Sequence, residues 1–290
     1  MRRIDPIQGL TLFFLSGLFF LVFFFRSHLP LWRSLLFRYA LCIGLLFALR
    51  LAFERNTMKG VRGFINDFSP LLFVILIYQS LGDLIQYLQP DIDPWLVQID
   101  LFLFGVHPTV WIERWIVPWL TDVLSLAYGS YYFLPVALVV TLYLQNRKED
   151  FRLAVFILLF GYYVSFVGYI LFPAIGPRYA IPHLQNVPLE GSFITDFIRD
   201  TLNSWEHNKR DCMPSGHTQI ALMVLFLSFR YQRTLFYILV PVVSGLVLST
   251  VYHRYHYVID LFVGAALAIG CLIVAPRLYH WWNKKVESRK

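Results

Sequence analysis

The chain has 290 residues, 58% of them hydrophobic and 15% charged, and it carries a net charge of +7. A soluble domain does not cover that much apolar surface, and several apolar runs reach the ~20 residues that cross a bilayer. These features exclude an ordinary soluble protein and point to a polytopic membrane protein. Backbone polar groups in lipid must be satisfied within each segment, so the expected class is all-α, a membrane helical bundle.

In chain order, spans are expected near 7–25, 34–53, 70–89, 121–144, 152–172, 215–230, 234–252 and 257–275, about eight transmembrane helices. The opening "MRRIDPIQGLTLFFLSGLFFLVFFF" has a basic front but a long apolar stretch, and "RSHLPLW" offers no small-x-small cleavage site. It reads as a retained first span. The loops "ERNTMKGVR", "NRKEDFR" and "RYQR", with "MRR" and the tail "PRLYHWWNKKVESRK", alternate consistently onto one side. The positive-inside rule makes that side cytoplasmic, with both termini on it. The same rule accounts for the basic charge without nucleic acid. Cys42, Cys212 and Cys271 form neither a disulfide framework nor a metal-type pair.

Two longer connections fall on the other side. Residues 90–120 carry Trp95, Trp111, Trp115 and Trp119, a density suited to short interfacial pieces. Residues 173–214 contain "SFITDFIRDTLNSW", where Phe193, Phe197, Leu202 and Trp205 suggest an interfacial helix or a lid over 192–205. In span three, Asp83 with Gln79 and Gln86 reads as a packing or gating patch.

Ionisable residues beside membrane spans are costly and therefore candidates for function. Three clusters stand at the non-cytoplasmic helix ends. Arg178 follows "LFPAIGP", either snorkelling to headgroups or clamping a phosphate through its planar guanidinium. In "DCMPSGHTQIALMVLF", Ser215 is a plausible N-cap and His217 lies in a first turn, which favours an anion. In "STVYHRYHYVID", His256 and Asp260 are four apart, and a carboxylate holding one imidazole nitrogen leaves the other as nucleophile. A purely structural pair, or a metal bound by His253, His256 and Asp260 on one helical face, fits this spacing as well. Phosphate is a shared target for all three clusters, because phosphoryl transfer needs positive donors, an in-line nucleophile and an acid.

These residues resemble the signature of the type 2 phosphatidic acid phosphatase superfamily: K-x6-R-P, then P-S-G-H, then S-R-x5-H-x3-D. The superfamily also contains fungal inositol phosphorylceramide synthases and vanadium haloperoxidases. Pro214, Ser215, Gly216 and His217 match the second motif outright, and His256 and Asp260 match H-x3-D. The resemblance covers roughly residues 120–275. It implies that His256 attacks phosphorus, Asp260 orients it, His217 serves as acid and base, and Ser215, Gly216 and Arg178 bind phosphate oxygens. His253 has no counterpart. Leu171 stands at the first motif's lysine, and proline precedes Arg178 instead of following it. Thr250 replaces the third motif's arginine, leaving Arg254 or Lys209 to substitute. The Ser249-Thr250 start with Tyr252 resembles the inositol phosphorylceramide synthase branch.

The expected organisation is leading helices with an interfacial aromatic segment (1–119), a six-helix phosphatase-like core (120–276) and a basic cytoplasmic tail (277–290). The expected function is metal-independent phosphoryl transfer on a lipid phosphate, to water or to a lipid alcohol, with no cofactor. The alternatives are an anion or lipid transporter and a metal-dependent membrane hydrolase.

Overall fold

The computed structural model describes residues 5–53, 61–205 and 208–287. The charged stretches expected on the cytoplasmic side at 1–4, 54–60 and 288–290 lie outside these residues. The described residues are helical, with no strand among them, as the apolar sequence requires.

Helix α1 (Pro6–Phe24) opens on a proline, whose missing N–H is harmless in a first turn. It buries Leu15, Leu18 and Val22 while Phe13, Phe20 and Phe24 stay exposed. A helix apolar all round fits lipid on its outer face. It packs on α2 (Trp32–Phe53), and α3 (Val61–Leu81) contacts both. Next come α4 (Asp93–Phe104) and the short α5 (Pro108–Trp111), bent by 64°. The bend follows Gly105, a left-handed C-cap at φ 69°, and precedes Pro108. The aromatic region expected as interfacial pieces thus contains a helix pair apolar enough to be one broken span.

The fourth expected span is also broken. Helices α6 (Pro118–Gly129) and α7 (Leu134–Leu144) meet at 51°. The remaining long helices are α8 (Lys148–Leu171), α11 (Gly216–Tyr231), α12 (Arg233–Tyr252) and α13 (Val258–Glu287), with α9 (Pro177–Ala180) and α10 (Thr195–Trp205) between α8 and α11. Helix α13 runs through Pro276 to Glu287, past the expected core boundary at 276. Six helices among the described residues are long and apolar enough to cross a membrane, or eight if each bent pair is one span. Helix α11, with 16 residues, is shorter but lies inside the bundle against α7, α8, α12 and α13.

The main core cluster joins the leading helices to α7, α8 and α11–α13, and two smaller clusters lie around Tyr257 and Tyr252. Close approach needs small residues: a Cβ on Gly161 of α8 would meet the Met223 side chain at 2.7 Å. Gln219, fully buried, accepts from the Ser165 hydroxyl at 2.9 Å and donates to Gly161 O at 3.0 Å. Burial without such partners would be costly. At the start of α8, Arg152 pairs with Asp5 ahead of α1, and Phe156 contacts Tyr279 near the end of α13. Both terminal helices therefore end opposite the polar loops that follow α8.

Candidate active site

Three loops converge at the end of the bundle where α8 finishes. Arg178 N–H donates to Arg254 O (2.8 Å), Cys212 N–H to Ala174 O (3.2 Å) and Ser215 N–H to Asp260 O (3.3 Å). Gly176 has φ 84°, and a Cβ there would meet Tyr255 O at 2.4 Å, so this crossing needs glycine. Buried acids fasten the loops from outside. Asp93 accepts from Ile175 N–H, Gly176 N–H and the Tyr257 hydroxyl, each at 2.9 Å. Asp100 accepts from Val258 and Ile259 N–H at 2.9 Å, satisfying orphan donors at the start of α13.

The stretch 249–260 is not one helix face. Helix α12 ends at Tyr252, the chain turns through Arg254 at φ 64°, and α13 begins at Val258. The Thr250 carbonyl closes this turn, accepting from Tyr255 N–H (2.9 Å) and His256 N–H (3.1 Å). The turn separates the two histidines. His253 Nε2 lies 3.3 Å from Ser125 Oγ, whereas His256 faces α11.

His256 Nδ1 is 2.8 Å from the Cys212 carbonyl. A carbonyl only accepts, so Nδ1 bears the proton and Nε2 holds the lone pair. Nε2 lies 3.3 Å from His217 Nδ1. His217 sits in the first turn of α11 against the rings of Tyr128 and Tyr131, at centroid distances of 4.7 and 4.3 Å. Its buried Nε2 has no partner among the described residues. Asp260, expected to hold His256 directly, is 3.6 Å from Nδ1, beyond hydrogen-bond range. Asp260 instead accepts from Tyr257 N–H at 3.0 Å and the Cys212 thiol at 2.8 Å. Burial pushes the Cys212 thiol well up, and Asp260 adds to the shift, so sulfur stays a donor. Cys212, His256 and Asp260 offer atoms within 4.8 Å of one another, a grouping in which Cys212 stands where His253 was expected.

Ser215 caps α11, its Oγ accepting from Thr218 N–H at 3.2 Å. A Cβ on Gly216 would meet the Tyr169 hydroxyl at 2.1 Å, so glycine admits α8 here. His217 and His256 line a cavity of about 240 Å³ with Tyr128, Tyr255, Asn208, Lys209 and Asp211 among its walls. Arg178 is not on that cavity. Its Nη1 donates to Tyr255 Oη at 2.9 Å, and it lines a smaller cavity of about 40 Å³ with Arg199 and His253, across the stacked Tyr128–Tyr255 pair. Arg254, expected as a substitute phosphate ligand, is buried and ion-paired with Glu113 at 2.8 Å. Burial lowers the pKa of His253 to about 4, so it is neutral at pH 7.

The segment expected as a lid forms α10, and its inner residues Ile198 and Leu202 close the smaller cavity. Phe193 and Phe197 face outward, 96% and 72% exposed. Asp122 fixes its start by accepting from Ser192, Phe193, Ile194 and Thr195 N–H and from the Thr195 hydroxyl. Gln79 fixes its end, donating to Trp205 O at 2.8 Å. Asp83 pairs with Arg38 of α2 at 2.6 Å. The capping acids Asp93, Asp100, Asp122 and Glu113 escaped the sequence reading. Their signal was a carboxylate in an otherwise apolar stretch.

Residues 94–274, which contain every one of these loops, match the model of the PAP2 superfamily. The chain belongs to the PAP2 superfamily. The match begins inside α4, ahead of the expected boundary at 120. A PA-phosphatase related-family protein of Dictyostelium discoideum is 27% identical over 173 residues, covering 53% of this chain and 31% of that protein. This PAP2 chain thus spans less than a third of that relative's length. No solved structure matches.

Proposed function

We propose that this PAP2 protein transfers the phosphorus group of a lipid phosphate ester through a phosphohistidine on His256. The observation that carries this reading is the pairing of His256 Nδ1 with the Cys212 carbonyl, with Nε2 turned toward His217 on a shared cavity. The Nε2 lone pair forms the P–N bond as the P–O bond to the lipid alkoxide breaks. Protonated His217 gives its proton to the departing oxygen. In the second half, His217 takes a proton from water or a lipid alcohol, whose oxygen attacks phosphorus as the P–N bond breaks. Asp260 acts as a negative neighbour stabilising the charged imidazole. The Gly216 and His217 N–H groups at the start of α11 suit phosphate oxygens. The reaction uses no metal in this scheme.

The acceptor is the finer question. Ser249, Thr250 and Tyr252 favour a transferase resembling inositol phosphorylceramide synthases over a simple phosphatase. The positive-inside pattern favours a site on the non-cytoplasmic face, with both termini in the cytoplasm.

The test incubates purified protein with lipid phosphates and phosphoinositides, with and without lipid alcohols, and identifies products by mass spectrometry. The expected result is a transfer product that disappears in His256→Ala and survives exhaustive chelation. Free phosphate as the sole product would remove the transferase assignment. Loss on chelation that zinc restores would move the chemistry to a metal at Cys212, His256 and Asp260.

A further inference from the structure

A phosphate beside His256 needs positive donors, and the residues that the motif pattern leads one to expect do not supply them. Leu171 is apolar and ends α8 half-exposed. Thr250 is fully buried, with its hydroxyl folded back onto Val247 O at 2.8 Å. Arg254 is bound to Glu113, and Arg178 faces the smaller cavity behind Tyr255.

The loop before α11 carries what is missing. Asn208 and Lys209 both line the cavity that holds His217 and His256. Asn208 is 3% exposed, and its Nδ2 has no partner among the described residues. Its Oδ1 accepts from Arg210 N–H at 3.0 Å, which fixes the amide with the nitrogen as the open donor. Lys209 makes no ion pair or hydrogen bond among the described residues. Arg210 is spent on Asp91, in a two-pronged pair at 2.6 and 3.1 Å that pins the loop. Asp211, the acid on the same wall, accepts from the Tyr78 hydroxyl at 2.6 Å and makes no ion pair with Lys209. A buried amide donor without a partner is costly, and an anion in the cavity would satisfy it.

We propose that Asn208 and Lys209 are the phosphate-binding donors of this site, in place of the side chains absent at 171 and 250. This rests on reading the cavity as a phosphate site. Lys209 supplies the charge and Asn208 a directed N–H, so together they stabilise the oxygens of the reacting group.

The test measures binding of inorganic phosphate to the full-length detergent-purified protein by calorimetry, which requires no turnover. Lys209→Ala is expected to weaken binding about ten- to hundredfold, the range for a charged hydrogen bond, and Lys209→Arg to recover most of it. Asn208→Asp keeps the acceptor for Arg210 N–H but removes the donor, and is expected to weaken binding at least tenfold. Parent protein that binds no phosphate would overturn the phosphate-site reading itself. Parent affinity in both Lys209→Ala and Asn208→Asp would overturn only this assignment. So would loss confined to Arg178→Ala, which would return the cation role to the smaller cavity.

Discussion

The Nδ1 of His256 rests 2.8 Å from the backbone carbonyl of Cys212, closer than any carboxylate oxygen of Asp260 at 3.6 Å. The carbonyl belongs to the loop that delivers His217, so one backbone contact orients the proposed nucleophile and sets it against its proposed proton partner. Asp260 works one step back, fastening Tyr257 N–H and the Cys212 thiol.

This arrangement separates two substitutions that the motif alone would equate. His256→Ala removes the attacking nitrogen and should lower turnover by roughly a thousandfold or more. Asp260→Asn retains an acceptor for Tyr257 N–H and leaves the carbonyl contact untouched, so about a tenfold loss is expected, the size of one hydrogen-bond contribution. Single-turnover rates on the same lipid phosphate compare them. Equal, near-complete losses would mean that the carboxylate, and not the carbonyl, holds the imidazole in the working enzyme.

The five contacts of Asp122 make α10 dependent on one side chain of α6. Asp122→Ala should release residues 192–196 first, because their N–H groups lose a common acceptor and α10 is left with the longer Ser125–Thr195 and Arg199–Leu189 contacts, Gln79 and packing. Hydrogen exchange followed by mass spectrometry reads this directly. Faster exchange across 192–205 with α8 and α11 unchanged is the expected pattern. Unaltered protection would show that burial of Ile198 and Leu202 suffices to seat the helix.

His253 gives the fold a pH dependence of known sign. Burial lowers its pKa from 6.5 to about 4, so the unfolded chain binds a proton at higher pH than the folded one. Its contribution is fully present above pH 6.5 and is lost as pH falls through 4, amounting to ~3 kcal/mol at the acid end. His253→Gln should flatten the slope of thermal stability between pH 4 and 6.5 in detergent. A slope unchanged by the substitution would assign that window to other groups.

Much of the architecture was legible because membrane insertion is read from composition over long windows. The apolar runs located most of the spans, and the match of 214–217 to P-S-G-H located the start of α11 and its cap. Where the reading failed, the cause was local geometry. The stretch 249–260 has helical spacing, yet the Thr250 carbonyl takes two loop N–H groups and breaks the helix before His256. Arg254 looked available by its nearness to His256, but its positive φ turns it toward Glu113. Nothing in the sequence near 254 announces an acid 141 positions away.

The sequence by itself determined an all-helical membrane bundle and a small set of polar residues at helix ends, because hydrophobic length and motif spacing are local properties. Only the tertiary structure decided which of them face one cavity. His217 meets His256, Asn208 and Lys209 join them, and Arg178, His253 and Arg254 go elsewhere. That partition depends on backbone carbonyls and buried acids from distant helices, whose hydrogen bonds form only once the loops are brought together.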